Sequence, residues 1–270
     1  MGVFQNNLLA GAAAAASAGG AGFYGYQIEQ SCRFDSGSSS TLSKTWGSAA
    51  SDGTKMSWSA WVKKASNSGN GTLLSGDDQY TQLAFTDYTI AQRIYLQVER
   101  ESNTGSPQAA ITTATFRDTS GWYHILWTGD ASLSATSQQK LYVNGTQITD
   151  FTFNQLDRGM SGSDTYVFTR NGKQAWLGVR EYNTSGYFEG YMAEVICVDG
   201  QVKNPTDFGE TKNGVWIPID YSGTYGNNGY RLKFENASDL GNDSSGNNND
   251  FTANNMGADH QVSDSPTFGS

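Results

Sequence analysis

Gly186-Tyr-Phe-Glu-Gly-Tyr-Met-Ala-Glu-Val-Ile-Cys-Val-Asp-Gly200 is the stretch that decides the fold. Polarity alternates along it, the period of a strand that buries one face, and the run closes on an Asp-Gly turn. The same alternation governs Lys55-Met-Ser-Trp-Ser-Ala-Trp-Val62. There Met56, Trp58, Ala60 and Val62 share one face, and Ser57, Ser59 and Trp61 share the other. Similar short runs lie at 83–85, 93–98, 110–116, 122–127, 140–143 and 175–179, separated by Gly, Asn, Asp and Ser clusters that supply turn chemistry. Asn144-Gly145 predicts a type I′ hairpin between Leu141-Tyr-Val143 and a strand beginning near Thr146. Tyr230, Leu232 and Phe234 alternate in one more strand late in the chain. Nothing from residue 55 to residue 198 has sustained helical periodicity. Strands joined by short turns pair antiparallel, and two such sheets bury their inner faces against each other. The expected fold is all-β: a two-sheet antiparallel sandwich of jelly-roll type.

Composition agrees. The 270 residues suit one large β domain with appendages, and charged residues make up only 16% against 32 Gly and 4 Pro. A net charge of -9 repels phosphate backbones and anionic membranes, so no nucleic-acid partner is expected. Residues 6–26 form an Ala/Gly tract that lacks the basic start and Leu-rich centre of a secretory leader, although Ala16-Ser17-Ala18 resembles a cleavage site. The tract is too short and too Gly-rich to span a bilayer. Ala and Gly bury little area of their own, so the tract reads as an arm that lies against partner subunits. Three regions follow: an anchoring arm over 1–25, the sandwich over 26–205, and an irregular Asn/Gly-rich region over 206–270 with one or two strands. The expected anchors of the arm are Val3, Phe4, Leu8, Leu9, Phe23, Tyr24 and Tyr26.

Read in order, Ser59-Ala-Trp-Val-Lys-Lys64, Gly121-Trp-Tyr-His-Ile-Leu-Trp127, Lys140-Leu-Tyr-Val-Asn-Gly145 and the 186–200 strand resemble the laminin-G, concanavalin-A-like lectin/glucanase sandwich. The resemblance implies that the first strand lies beside the 186–200 strand. Cys32 shares a face with Phe34, and Cys197 with Val195, so both thiols are expected in the core as buried hydrophobes or as a disulfide pair. Leu240 to Asn255 resembles the opening of a further laminin-G-like domain. The segment from Asp207-Phe-Gly-Glu210 onward, including the ending 259–267, resembles structural proteins of bacteriophages of aquatic bacteria.

Catalytic chemistry is not expected. Hydrolases of the resembling fold present acids as E-x-D-x-x-E, whereas Glu189 and Glu194 are five apart and face opposite sides of a strand unless a bulge intervenes. His124 reads as a packing residue, and no nucleophile, phosphate-loop or zinc motif occurs. Asp77 and Asp78 are the candidates for calcium, though a site needs six to eight oxygens. Otherwise no cofactor is expected. Tyr80, Arg180, Tyr182, Asn183 and Tyr187 are the candidates for glycan contact, since aromatic faces stack on sugar rings. Five Asn-x-Ser/Thr acceptors, at Asn70, Asn144, Asn183, Asn236 and Asn242, fit a chain rich in those residues. The resulting expectation is a non-enzymatic bacteriophage virion protein (capsid decoration, head fibre or tail fibre) that meets other virion proteins and its own copies. Its loops would touch host-surface polysaccharide. A secreted carbohydrate-binding lectin, or a glycan hydrolase or lyase with an unrecognised acid pair, are the alternatives.

Overall fold

The computed structural model describes residues 22–69, 71–78, 80–86, 92–99, 105–180 and 185–267. Among the described residues eighteen strands follow one another: β1 (Ser31–Phe34), β2 (Thr41–Thr45), β3 (Lys55–Lys64), β4 (Gly71–Gly76), β5 (Gln82–Thr86), β6 (Arg93–Val98), β7 (Gln108–Thr112), β8 (Tyr123–Asp130), β9 (Gln139–Val143), β10 (Thr146–Ile148), β11 (Phe151–Asn154), β12 (Gln174–Leu177), β13 (Gly190–Asp199), β14 (Gly209–Lys212), β15 (Val215–Pro218), β16 (Tyr230–Leu232), β17 (Thr252–Asn254) and β18 (Gln261–Val262). One sheet runs β10-β9-β8-β3-β13-β1-β18, with β16 also on β13, and the other runs β11-β7-β6-β5-β4-β12-β2-β17. Every pairing is antiparallel, as short turn connections dictate. The protein is the expected two-sheet sandwich.

Between the sheets, Met56, Trp58, Ala60 and Val62 of β3 and Met192, Val195 and Cys197 of β13 join Leu83, Phe85, Ile94 and Leu96 of the opposite layer in one core. Alternation assigns all of these positions inward except Met192, which shares the inner face with Val195 and Cys197 because the register shifts between Ala193 and Ile196. Asn144 and Gly145 have φ of 48° and 76°, the left-handed pair that a type I′ turn requires, and β10 begins at Thr146 as expected. Phe234 departs from the expected strand. The ladder stops at Leu232, and a φ of 60° turns Phe234 back into the core, where it is buried.

The first sheet is covered on its outer side as well. Leu126, Ile196 and Val198 pack beneath Phe208 and Tyr221, while Trp61 and Ala193 pack beneath Ile28, with Tyr26, Trp122 and Trp216 at the margin. This layer comes from residues 22–28 and from the segment after residue 204. The C-terminal region contributes five strands, β14 to β18, rather than one or two. Its Asn242 to Asp250 loop closes on this same sandwich: Asp243 accepts the backbone N–H groups of Arg231, Ser245 and Asn249, and Asp250 accepts that of Asp243.

Of the expected anchors, Val3, Phe4, Leu8 and Leu9 lie outside the described residues. Phe23, Tyr24 and Tyr26 have partners within their own chain. Lys212 Nζ donates to the Phe23 carbonyl at 2.6 Å and sits 5.5 Å from its ring, Tyr24 is buried, and the Tyr26 hydroxyl donates to Glu194.

The cysteines form no disulfide. β1 does lie beside β13, but the register sets Cys32 opposite Met192, whereas Cys197 sits five residues further along, opposite Trp58 and Tyr230. Five residues of strand are about 16 Å, far beyond the reach of an S–S bond. Both thiols are free, fully buried, and pushed up by that burial.

Candidate glycan-binding groove

Strands whose inward residues are apolar leave their alternate residues on the opposite face, and in β5 and β6 those residues are unusually polar. Gln82, Ala84 and Thr86 pair across the ladder with Gln97, Tyr95 and Arg93. The register continues sideways from Ala84 to Thr72 of β4, and from Tyr95 to Ile111 of β7 and on to Phe153 of β11. A row of small, aromatic and aliphatic side chains therefore crosses the sheet, flanked by amides on one side and a guanidinium on the other. This outer face forms a groove of about 540 Å³, lined also by Tyr80, Thr152, Arg180, Ser185 and Gly186.

Its polar groups are held in place. Gln82 Nε2 donates to Gln97 Oε1 at 3.0 Å, which leaves one amide acceptor and one amide donor side by side for a ligand. Arg93 Nη1 donates to the Thr112 carbonyl at 3.0 Å and to the Thr152 hydroxyl. Phe153 is 39% exposed, one of few large apolar side chains in contact with solvent. Apolar planes beside fixed hydrogen-bonding groups are what a sugar ring, with its C–H faces and hydroxyl edges, can use.

Tyr80 and Arg180 of the expected glycan contacts line this groove. Tyr187 lines an adjoining depression with Lys64, Gln92 and Glu189, which shares Ser185 and Gly186 with the first. Tyr182 and Asn183 lie outside the described residues. Sequence reading missed Gln82, Arg93, Tyr95 and Gln97. Their signal was available in part: they alternate with the apolar residues of two strands that fall on the runs 83–85 and 93–98.

Asp77 and Asp78 have protein partners. Asp78 accepts the Tyr80 and Thr81 backbone N–H groups at 3.0 and 2.5 Å and the Thr81 hydroxyl at 2.6 Å, while burial raises its carboxyl. Asp77 pairs with Lys173 at 3.3 Å. Among the described residues no three His, Cys, Asp or Glu side chains converge as metal ligands.

The two acids weighed for hydrolysis do not form a pair, for a reason different from the expected one. A bulge between Ala193 and Ile196, with Glu194 at φ 51°, breaks the strand alternation and turns Glu194 to the outer face beside Ala193. There Arg231 Nε donates to Glu194 Oε1, and Arg231 Nη2 donates to Tyr26 and to Asp220, both under 3 Å. Burial raises the Glu194 carboxyl, and the Arg231 guanidinium opposes that shift. Glu189 instead accepts from the backbone N–H and the hydroxyl of Ser36. Roughly 15 Å of strand separates the two, against the 5–9.5 Å that acid-pair hydrolysis needs.

His124 is buried on the covered face of the first sheet. Trp216 Nε1 donates to its Nδ1 at 3.1 Å, so the neutral ring carries its proton on Nε2 and donates it to Ser59 Oγ at 2.8 Å. Burial lowers its pKa to about 3. The ring is a packing residue between Trp61 and Trp216.

Comparison with known proteins agrees with the architecture. No curated protein matches the sequence. A putative carbohydrate-binding protein from Bacteroides ovatus superposes with a TM-score of 0.58 at 16% identity, over 85% of this chain and 59% of that one, so this chain spans about three-fifths of its length. A heptameric SAP-like pentraxin from Limulus polyphemus gives a TM-score of 0.46 at 12% identity, covering 66% and 80% of the two chains. Domain 4 of an extracellular arabinanase from Geobacillus stearothermophilus, in complex with arabinotriose, gives 0.39 at 17% identity, covering 58% and 64%. Laminin_G_3, described as the concanavalin A-like lectin/glucanases superfamily, matches residues 35–203. With well over half its length inside that match and the sandwich in place, the chain belongs to the concanavalin A-like lectin/glucanases superfamily.

Proposed function

We propose that this protein is a non-catalytic glycan-binding module whose ligand lies in the groove on the outer face of the second sheet. The observation that carries the proposal is the register itself, which sets Gln82 opposite Gln97 and Tyr95 between Ala84 and Ile111. Such a row offers a sugar stacking and bidentate hydrogen bonding without a carboxylate pair to cleave it. The similarity to the putative carbohydrate-binding protein from Bacteroides ovatus supports the same class. Isothermal titration of the protein against a panel of bacterial and algal oligosaccharides tests the reading. Binding that Tyr95→Ala and Gln97→Ala each weaken supports it. New reducing ends appearing during the incubation, and lost in Glu189→Gln or Glu194→Gln, would replace it with hydrolysis.

The setting we propose is the surface of a bacteriophage particle, where many copies turn a weak single-site affinity into useful avidity. What supports this setting is the resemblance of the segment from Asp207 onward to phage structural proteins. A secreted lectin is the competing setting. Gold-labelled antibody against this chain on purified particles separates the two: regular labelling of heads or tails supports display, and label confined to the soluble fraction overturns it.

A further inference from the structure

The groove has a charge as well as a shape. The whole chain carries -9, yet the charged side chains among the described residues lining the groove are Arg93 and Arg180, and no Asp or Glu is among those lining residues. Arg93 is the more informative of the two. Thr112 and Thr152 fix its Nη1, its Nε is buried without a hydrogen-bond partner, and no acid among the described residues pairs with it. Elsewhere in this protein the buried arginine, Arg231, is neutralised by Glu194 and Asp220. A guanidinium held rigidly at a groove wall with no internal counter-charge is costly unless something outside supplies one.

Resting on the glycan-binding reading, we infer that the groove selects sugars bearing an anionic oxygen group, which seats on Arg93 while the Gln82 and Gln97 amides take ring hydroxyls. With both Nη1 hydrogens engaged and Nε buried, Nη2 is the group left to meet a carboxylate or a sulfate oxygen, and a charge-assisted hydrogen bond of this kind is about twice as strong as a neutral one. A neutral sugar gains only the amide and stacking contacts. The acidic remainder of the surface repels polyanions at long range, so selectivity arises at the groove and not from general attraction. The required chemistry is the same for a uronate carboxylate and for a sulfate ester.

Titration of the full chain with three probes tests this: trigalacturonate, a sulfated galactotriose and unmodified galactotriose. At least one anionic trisaccharide is expected to bind about tenfold or more tightly than the neutral one, and which of them does so separates carboxylate from sulfate. That preference should collapse to about unity in Arg93→Gln and survive in part in Arg93→Lys, which keeps the charge and loses the guanidinium geometry held by Thr112 and Thr152. Should Arg93→Gln lower the melting temperature, the intact protein still decides, because raising salt from about 50 to about 500 mM must weaken the anionic probe more than the neutral one. Equal binding of neutral and anionic trisaccharides overturns the charge selectivity while leaving glycan binding intact. Failure of all three probes to bind overturns both. An anionic preference indifferent to Arg93→Gln and to salt overturns the assignment to Arg93.

Discussion

Single side chains fix how the covered face of the first sheet responds to pH and mutation. His124 is neutral in the folded protein because burial lowers its pKa to about 3, while the unfolded chain titrates near 6.5. Between those values the unfolded state binds a proton that the folded state refuses, so stability is full above pH 6.5 and falls as the pH drops through that window. Each pH unit within it costs up to about 1.4 kcal/mol. Urea unfolding midpoints should therefore decline steadily from pH 7 to pH 4, and a flat profile would mean that the ring is charged or exposed. Glu194 presents another case, a carboxyl that burial raises and that the Arg231 guanidinium, before the Tyr26 hydroxyl, holds down. Glu194→Gln keeps the size but leaves the guanidinium short of a counter-charge, and should cost about 3 kcal/mol in denaturant titrations. A loss under about 0.5 kcal/mol would show that Asp220 suffices alone.

At the level of elements, the strands that could be read directly were those with enough apolar residues to show a run or a period. β3, β5, β6, β8, β9 and β13 all fall on predicted runs. β2 and β4 were harder, because Thr41-Leu-Ser-Lys-Thr45 and Gly71-Thr-Leu-Leu-Ser-Gly76 contain too few apolar residues to show a period, and β4 itself carries an irregularity between Thr72 and Leu74. The bulge in β13 was foreseen only as a condition. Nothing in Ala193-Glu-Val195 announces an extra residue, and only the partner strand reveals it. The groove was half legible. Tyr80 and Arg180 stood out as loop residues, but a site made of outward positions on neighbouring strands requires the register. The β9–β10 hairpin shows how tightly such a local signal is tied to the rest. Asn144 and the His124 backbone exchange hydrogen bonds, and a Cβ on Gly145, at φ 76°, would lie 2.5 Å from the Trp216 ring. Gly145→Ala should thus strain the turn and displace Trp216 together, lowering stability by about 1–3 kcal/mol. Indole fluorescence followed during thermal melting measures both effects, and an unchanged spectrum with an unchanged midpoint would dissociate the turn from its lid.

For the whole molecule, the folding unit is larger than the family match that ends at residue 203. Tyr230, Leu232, Phe234, Leu240 and Phe251 belong to the same core as Trp58 and Trp127, and Trp46 stacks on Tyr230 while meeting Phe251 edge-on. β16 and β18 extend the first sheet and β17 the second, so the C-terminal region binds both layers at once. Phe208 and Tyr221 then cap the outer face above Leu126, Ile196 and Val198. Ending the chain after residue 205 would expose the covered side of the first sheet and empty the core of five large side chains. Each loss of that kind costs about 2–5 kcal/mol, and a domain has only about 5–15 kcal/mol to lose. A chain of residues 1–205 should therefore be insoluble or molten, with lost near-ultraviolet dichroism. Removing residues 1–21 should leave a cooperative fold, because Tyr26 and Ile28 remain to cover Trp61, Ala193 and Arg231. Extending that deletion through residue 28 takes the cover away, uncouples Glu194 from Tyr26, and should lower the melting temperature by several degrees. Calorimetry on the three truncations orders them. A cooperative transition in the chain ending at 205 would assign the entire core to the family module and make the C-terminal layer an accessory.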